Sequence, residues 1–270
     1  MLIDLHMHTT CSDGVWPRER LFDEIRLREL DLFCVSDHDT LAAYPMTDDL
    51  AARSIPGLEV DTEHAGHTVH LLAYGVRSNE TPLMQALTRQ RQEREKRMGE
   101  MIERLHGLGI AVTLDDVRAQ ATSASSLGRP HLARALVARG HVATVQEAFD
   151  RYLADEGTGF VALRRLTSAE IIELIRASGG VSVVAHPKRL RAPHHLDELR
   201  ELGVDGVEVV HPTADADFER EMRAFAEKHD LLVTGGTDFH APVEHPIGIE
   251  FPKRDVERLA ERIAMLSGGR

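Results

Sequence analysis

Short apolar segments alternate with amphipathic segments along most of this chain. Apolar-rich runs of a few residues predict strands at 2–5, 31–35, 58–60, 68–74, 181–185, 206–210 and 231–234. Apolar residues at helical spacing predict helices at about 43–53, 167–178, 195–202, 215–229 and 255–266, and another helix begins near Pro17. Strands that alternate with helices indicate an α/β protein with a largely parallel sheet or barrel.

The middle of the chain has a different pattern. Between about residues 81 and 166 the sequence predicts helices and carries little strand signal; the helices fall at about 84–106, 114–120, 131–138 and 145–153. We therefore expect a body made of residues 1–80 and 167–270, with residues 81–166 inserted as a helical cap subdomain.

The composition is that of an ordinary globular protein. Of the 270 residues, 42% are hydrophobic and 28% are charged, which excludes a disordered or collagen-like chain. No apolar run approaches the roughly 20 residues that span a bilayer, and the chain does not begin like a signal peptide. Two cysteines, Cys11 and Cys34, provide no disulfide framework. We expect a soluble cytoplasmic protein without a membrane partner, and infer no obligate protein partner.

The charge balance narrows the choice of substrates. A formal net charge of −12 repels duplex DNA, because binding of duplexes depends on neutralising their phosphates. An anionic substrate would need local positive charge to overcome this field. The 16 histidines are the more informative feature, since imidazole is the commonest protein metal ligand.

Four polar clusters lie where predicted strands end. They are His6-Met7-His8, Asp37-His38-Asp39, Ala185-His186-Pro187 and Asp238-Phe239-His240. In parallel α/β sheets and barrels the carboxyl ends of the strands share one face, and active sites collect there. We therefore expect these clusters to converge on one pocket.

Imidazoles and carboxylates in these positions indicate bound divalent metal ions. His6 and His8 are two residues apart, so on an extended segment their side chains lie on the same side. Glu59 could bridge two ions through its two oxygens. His70 lies within an apolar strand, where an imidazole without a partner is costly.

Each of these signals alone has a simpler explanation. A lone pair of histidines can lie on the surface, Asp and His also cap helices and form turns, and a buried histidine is often a hydrogen-bonded core residue. The joint occurrence at successive strand ends favours the metal site. Surface or packing roles are expected for the histidines without such context, which are His64, His67, His106, His141, His194, His195, His229 and His245.

Taken together, the motifs resemble those of the PHP (polymerase and histidinol phosphatase) family. The matching segments run through the whole chain: Asp4-Leu5-His6-Met7-His8-Thr9, Ser12-Asp13-Gly14, Ser36-Asp37-His38-Asp39, Pro56-Gly57-Leu58-Glu59-Val60, Val69-His70-Leu71-Leu72, Ala185-His186-Pro187 and Thr237-Asp238-Phe239-His240. The resemblance implies a distorted (β/α)7 barrel with metal ions at the C-terminal ends of the strands.

The resemblance also implies a centre of three divalent metal ions, Mn2+ with Fe2+ and Zn2+ as alternatives. The implied ligands are His6, His8, Glu59 and Asp238 for the first ion, Glu59, His70 and His186 for the second, and Asp13, His38 and His240 for the third. Glu59, Asp238 and His240 would also be catalytic residues. A hydroxide bridging the ions would attack phosphorus, and the positive centre would stabilise the charge that develops.

Three further segments resemble one branch of the family, whose members act on nucleoside 3′,5′-bisphosphates, cyclic phosphates or the 5′ ends of short RNA. These segments are Gly128-Arg129-Pro130-His131-Leu132-Ala133, His186-Pro187-Lys188-Arg189 and Gly206-Val207-Glu208-Val209-Val210-His211-Pro212. Arg129 and Arg189 suit bidentate phosphate contacts, and His131 and His211 can hydrogen-bond phosphate or protonate a leaving oxygen. Arg129 could instead form a salt bridge at a helix start, and Glu208 could orient a metal ligand.

The leading hypothesis is a metal-dependent phosphoesterase for small phosphorylated nucleotides. It would convert a nucleoside 3′,5′-bisphosphate to a nucleoside monophosphate and phosphate, and could trim short oligonucleotides from the 5′ end. Histidinol phosphate phosphatase is the alternative within the enzyme class. A non-catalytic metal-dependent nucleotide sensor and a closed structural metal site are the alternatives outside it, and neither would release phosphate.

Overall fold

The computed structural model describes the chain except residues 47, 79, 121–126, 155, 163–164, 191, 243–245 and 268–270. The chain divides into two units, of which the first comprises Met1–Gln85 and Leu166–Arg270 and the second Ala86–Arg165. In the described ranges, no helix is both long enough and apolar enough to cross a membrane.

The strands of the first unit form two sheets. In chain order they are β1 (Leu2–Asp4), β2 (Leu32–Phe33), β3 (Gly57–His64), β4 (His67–Tyr74), β5 (Val181–Val184), β6 (Gly206–Val210), β7 (Leu232–Gly235) and β8 (Ile249–Glu250). One sheet has the order β2-β1-β8 and the other the order β3-β4-β5-β6-β7. Each predicted strand overlaps one of β1 to β7, whereas the two-residue β8 was not predicted, although Ile247, Ile249 and Phe251 alternate with other residues there.

The sheets are mixed, which corrects the expectation of a largely parallel arrangement. Strand pairs β1–β2, β5–β6 and β6–β7 are parallel, but β3–β4, β4–β5 and β1–β8 are antiparallel. The antiparallel β3–β4 pair arises from a two-residue turn, where Ala65 and Gly66 have φ angles of 49° and 79°. Turns of this kind favour glycine and match the twist of a hairpin. The turn pairs His64 with His67 and sends β4 back along β3.

The two sheets are not closed, and the part of the chain that the structure describes does not show a (β/α)7 barrel. Isolated parallel bridges occur beyond the sheets, where Met7 pairs with Phe239 and His38 pairs with Glu59. The first bridge brings the segment after β1 beside the segment after β7. The second brings the segment after β2 beside β3. Side chains that follow strand ends in different sheets therefore lie close together.

Helices of the first unit cover the sheets with their apolar faces. They are α1 (Arg18–Leu27), α2 (Asp48–Ala51), α7 (Ser168–Ala177), α8 (His194–Glu201), α9 (Ala216–Lys228) and α10 (Lys253–Ser267), in the numbering of all helices along the chain. Helix α1 buries Leu21 and Ile25 in a core that includes Phe33. The helix predicted at 43–53 is wrong in length, because Pro45 lacks an N–H and disfavours helical backbone at Tyr44.

The second unit is built from helices around its own core. Helix α3 (Pro82–Gly107) enters it from the first unit and is followed by α4 (Leu114–Arg118), α5 (Arg129–Ala138), α6 (Val145–Ala148) and a π-helical turn, Phe149–Leu153. Met101, Leu105, Leu132 and Leu136 are fully buried in this core. The helix predicted at 145–153 is thus divided into an α-helical and a π-helical part.

Candidate metal centre

The residues that the sequence predicts as metal ligands come together in the first unit. His6 and His8 follow β1, His38 follows β2, and His186 follows β5. Asp238 and His240 follow β7, Glu59 and His70 lie on β3 and β4, and Asp13 lies in the turn after His8. The isolated bridges explain this convergence, because they join the segments that carry His6, His8, His38 and Asp238.

Four side chains form the first group of candidate ligands. His6 Nε2 and His8 Nε2 lie 3.3 and 3.2 Å from Glu59 Oε2, and 3.3 and 3.4 Å from Asp238 Oδ1. Donor atoms held tetrahedrally at roughly 2.1 Å from one ion are about 3.4 Å apart. The spacing of these atoms is therefore that of ligands around a shared cation.

Glu59 connects the first group to a second. Its other oxygen, Oε1, lies 2.9 Å from His70 Nδ1 and 3.1 Å from His186 Nε2. Glu59 Oε2 also lies 3.3 Å from His38 Nε2, so the carboxylate faces three imidazoles through Oε2 and two others through Oε1. This arrangement suits a carboxylate that bridges two metal ions.

A third group surrounds Asp13. Asp13 Oδ2 lies 3.3 Å from His240 Nε2 and 3.6 Å from His38 Nε2, while Asp13 Oδ1 lies 3.5 Å from His8 Nδ1. His8 therefore faces the first group with one ring nitrogen and the third group with the other. The resemblance implied Asp13, His38 and His240 for this position, and the structure adds His8 to them.

Buried nitrogen atoms in the centre fit the role of metal ligands. His6 Nε2 and both ring nitrogens of His8 are buried without a hydrogen-bond partner among the described residues. An unpaired buried polar atom costs about 1–3 kcal/mol. Imidazole nitrogens and carboxylate oxygens that face one another at these distances are a donor set suited to divalent transition metals.

The electrostatics of the centre keep its carboxylates ionised. Burial opposes the charge of Glu59, but His38 and His6 outweigh it and hold the pKa of this carboxyl well below its usual range. Burial also opposes the charge of Asp238, whose pKa is nevertheless lowered by His211 and His8. Burial works against protonation of His6, but Glu208 and Glu59 raise its pKa well above the usual value. At neutral pH the centre therefore presents carboxylates to a cation.

Buried acidic residues behind the centre hold its ligands in place. Glu208 Oε1 lies 2.9 Å from His6 Nδ1, and Glu208 Oε2 accepts a 2.6 Å hydrogen bond from the backbone N–H of His186. Asp4 accepts hydrogen bonds from the backbone and hydroxyl of Thr237, next to Asp238. The sequence indicates an orienting role for Glu208 as one alternative, whereas the role of Asp4, two residues before His6 on a buried strand, was not predicted.

The backbone is shaped to bring the ligands this close. His186 and Asp238 have φ angles of 29° and 50°, in the left-handed region that costs residues other than glycine about 1–3 kcal/mol. Gly236 lies against the chain at His6, where an added Cβ would come within 2.5 Å of the His6 nitrogen. Glycine at this position is therefore required for the close approach of the segments after β1 and β7.

Asp61 is a further candidate ligand that the sequence analysis missed. Its Oδ1 lies 3.4 Å from His38 Nδ1 and 3.4 Å from His70 Nε2. Residues two apart on a strand share a face. The spacing of Asp61 from Glu59 on β3 was the signal that could have found it.

Two of the predicted substrate-binding residues lie at the edge of this centre. Arg189 Nη1 donates a 3.2 Å hydrogen bond to Asp238 Oδ2, and its side chain is half exposed. His211 Nε2 lies 3.2 Å from the same oxygen, and His211 Nδ1 lies 2.8 Å from Thr213 Oγ1. The guanidinium of Arg189 and the imidazole of His211 thus both contact Asp238 Oδ2, whereas Asp238 Oδ1 faces the first group of candidate ligands.

The other two predicted substrate-binding residues, Arg129 and His131, lie in the second unit. Arg129 Nη1 donates a 3.0 Å hydrogen bond to the carbonyl oxygen of Leu153, and its guanidinium lies 5.3 Å from the ring centre of Phe160. His131 Nδ1 accepts a hydrogen bond from the N–H of Gly128 at the start of α5. These contacts anchor both side chains locally, and their binding of substrate stays a prediction.

No protein-family model matches the chain, but individual proteins do. The 3′,5′-nucleoside bisphosphate phosphatase of Chromobacterium violaceum is 31% identical over 251 residues, covering 90% of this chain and 88% of that protein. The 5′-3′ exoribonuclease Rnm of Salmonella typhimurium is 32% identical over 259 residues, covering 90% and 86%. A Bifidobacterium adolescentis protein of known structure, assigned as a metal-dependent phosphoesterase, matches with a TM-score of 0.72 and 31% identity, covering 96% of each chain.

Proposed function

Because this chain belongs to the PHP family of metal-dependent phosphoesterases, we propose that it hydrolyses phosphate esters of small nucleotides. The proposed reaction converts a nucleoside 3′,5′-bisphosphate to a nucleoside monophosphate and phosphate. Trimming of short oligonucleotides from the 5′ end is the related reaction. The names of the two relatives support both substrates, since one is a bisphosphate phosphatase and the other a 5′-3′ exoribonuclease.

The observation that carries the proposal is the position of Glu59. Its Oε2 faces three imidazoles at 3.2–3.3 Å, and its Oε1 faces two others at 2.9–3.1 Å. We propose that it bridges two ions and that the group around Asp13 holds a third. Mn2+ is the proposed metal, with Fe2+ and Zn2+ as alternatives.

Bound divalent ions would lower the pKa of water towards neutrality and offset the negative charge of a phosphate. The residues of the chain supply the frame for this chemistry. Glu208 fixes the ring of His6 from behind, so that His6 Nε2 faces Glu59 and Asp238. Glu59, Asp238 and His240 are the residues proposed to act directly on the reacting atoms.

Substrate binding is assigned to the edge of the centre. A guanidinium has five N–H donors, so Arg189 can hold Asp238 with one and a phosphate with the others. His211 is proposed to hydrogen-bond phosphate or to protonate the leaving oxygen. Arg129 and His131 are the remaining proposed contacts. Such positive groups would give an anionic substrate a local attraction within a chain of net charge −12.

The same net charge supports a short, single-stranded or mononucleotide substrate and no duplex DNA. A cytoplasmic location without membrane or obligate protein partners is part of the proposal. We further propose that the two sheets and the bridges at Met7 and His38 belong to one distorted (β/α)7 barrel, and that residues 81–166 form an inserted helical cap subdomain.

The test is phosphate release by the manganese-loaded protein from adenosine 3′,5′-bisphosphate, AMP and histidinol phosphate. We expect kcat/KM for the bisphosphate to exceed that for AMP by at least about tenfold, which corresponds to about 1.4 kcal/mol. Arg189→Ala should reduce this preference. Preference for histidinol phosphate would overturn the nucleotide proposal but leave the phosphatase, and no release from any substrate would favour a nucleotide sensor.

A further inference from the structure

A second group of histidines lies in the first unit, at the opposite end of strand β3 from the candidate metal centre. His64 and His67 flank the turn of the β3–β4 hairpin, and His194, His195 and Glu198 lie on helix α8. The sequence predicts separate surface or packing roles for these histidines. The structure instead places them together, while His245 from the same prediction lies outside the described residues.

Three of these side chains have the geometry of metal ligands. His194, His195 and Glu198 each offer one donor atom, and these atoms lie within 4.8 Å of one another. His194 and Glu198 are four residues apart, so they share one face of α8. His64 reaches this face from the hairpin, and its Nε2 lies 2.7 Å from Glu198 Oε2.

His195 is the residue that a packing role explains least. It is 5% exposed, yet its Nδ1 is buried without a hydrogen-bond partner among the described residues. Its ring centre lies 4.7, 5.4 and 5.6 Å from those of His194, His64 and His67. A buried imidazole among three others lacks the hydrogen bond that normally compensates its burial.

We propose that His194, His195 and Glu198 bind a zinc ion, with His64 holding the Glu198 carboxylate in position. Two imidazoles and one carboxylate are a donor set that zinc uses in proteins, and a carboxylate ligand is commonly oriented by a further hydrogen bond. The group contains no thiolate, which argues against a copper(I) or iron–sulfur site.

The proposed site is separate from the centre around Glu59. Glu59 and His64 are five residues apart on the extended strand β3, or roughly 16 Å. A zinc ion here would fasten the tip of the β3–β4 hairpin to α8. The same hairpin carries Glu59 and His70, so the ion would stabilise the strands that present these two candidate ligands.

Elemental analysis after equilibrium dialysis against Zn2+ tests the proposal. The variants are Glu198→Gln and His194→Ala, and the control is His141→Ala, which removes a partly buried histidine of the second unit. We expect each variant to bind about one zinc ion per chain fewer than the wild type and the control. Phosphatase activity with Mn2+ should be unchanged, because neither residue belongs to the centre around Glu59.

Equal zinc content in the wild type and both variants would overturn the proposal. A second measurement does not depend on how the variants fold. In crystals of the wild-type protein grown with Zn2+, the anomalous difference map at the zinc edge should contain a peak bounded by His194, His195 and Glu198. Zinc peaks around Glu59 with none at α8 would also overturn it.

Discussion

Replacing Glu59 by glutamine tests the bridging carboxylate with the smallest change of shape. The substitution keeps the size of the side chain but removes its charge from a position that is 1% exposed. Glu59 Oε2 lies within 3.3 Å of His6 Nε2, His8 Nε2 and His38 Nε2, and Oε1 lies within 3.1 Å of His70 and His186. Both oxygens are therefore within reach of any ion that these imidazoles bind.

The expected loss follows from Coulomb's law. Two unit charges about 4 Å apart attract by about 4 kcal/mol at an effective dielectric constant of about 20. A divalent ion at a shorter distance is attracted more strongly, but the cost of desolvating both charges opposes this gain, so we take about 4 kcal/mol as the order of magnitude. This corresponds to about a thousandfold weaker metal binding. We expect Glu59→Gln to lose bound Mn2+ and to lower kcat/KM for phosphate release about a thousandfold.

Elemental analysis and phosphate release from adenosine 3′,5′-bisphosphate are the two assays. Glu63→Gln is the matched control, since Glu63 lies on the same strand outside the groups of candidate ligands. The control should retain wild-type metal content and activity. Full metal content in Glu59→Gln, together with an activity within a few-fold of the control, would show that Glu59 is not a bridging ligand.

Three further predictions concern the support of the centre and the stability of the two units. Glu208→Gln should weaken Mn2+ binding about 10- to 100-fold, because Glu208 orients His6. The Mn2+ concentration that gives half-maximal activity should rise accordingly, and an unchanged concentration would contradict this. In the metal-free protein the pKa values of His6 and His38 are raised and that of Glu59 is lowered. Urea unfolding should therefore show highest stability between about pH 4.5 and 6.5, lost at higher pH as the imidazoles deprotonate and at lower pH as the carboxylate protonates. Bound Mn2+ should reverse the loss of stability above pH 6.5, because the metal ion competes with protons for the imidazoles. A metal-free protein whose free energy of unfolding rises towards pH 9 would refute the raised pKa values of the two histidines. Leu136→Ala should destabilise the second unit by about 2–5 kcal/mol in urea unfolding, because Leu136 is fully buried there, and a loss below 1 kcal/mol would contradict this packing.

Hydrophobic periodicity predicts the positions of the strands, because each strand buries either every residue or every second residue over a short run, and apolar residues occupy the buried positions. It does not predict their directions. The antiparallel β3–β4 pair depends on the conformation of Ala65 and Gly66, and this dipeptide is a weaker hairpin signal than Asn-Gly. The helix predicted at 43–53 fails for a reason readable in the sequence, since Pro45 interrupts an otherwise helical pattern.

Candidate ligands are more predictable than the residues that support them. His6, His8 and Asp238 follow apolar strands, and strand ends converge by the geometry of the fold. The place of Asp4 on a buried strand is a signal, but its partner is not, because its hydrogen bond to Thr237 joins residues 233 positions apart. The group around His195 is equally hidden, because it forms only where the hairpin tip meets α8.

The most direct test of the account is the metal dependence of hydrolysis itself. Protein stripped of metal by a chelator is titrated with Mn2+, and the initial rate of phosphate release from adenosine 3′,5′-bisphosphate is measured. We predict a background rate without metal and a saturable rise as Mn2+ is added, because Glu59, Asp238 and the surrounding imidazoles are arranged to bind cations. Full activity in stripped protein whose metal content is shown to be negligible would contradict it.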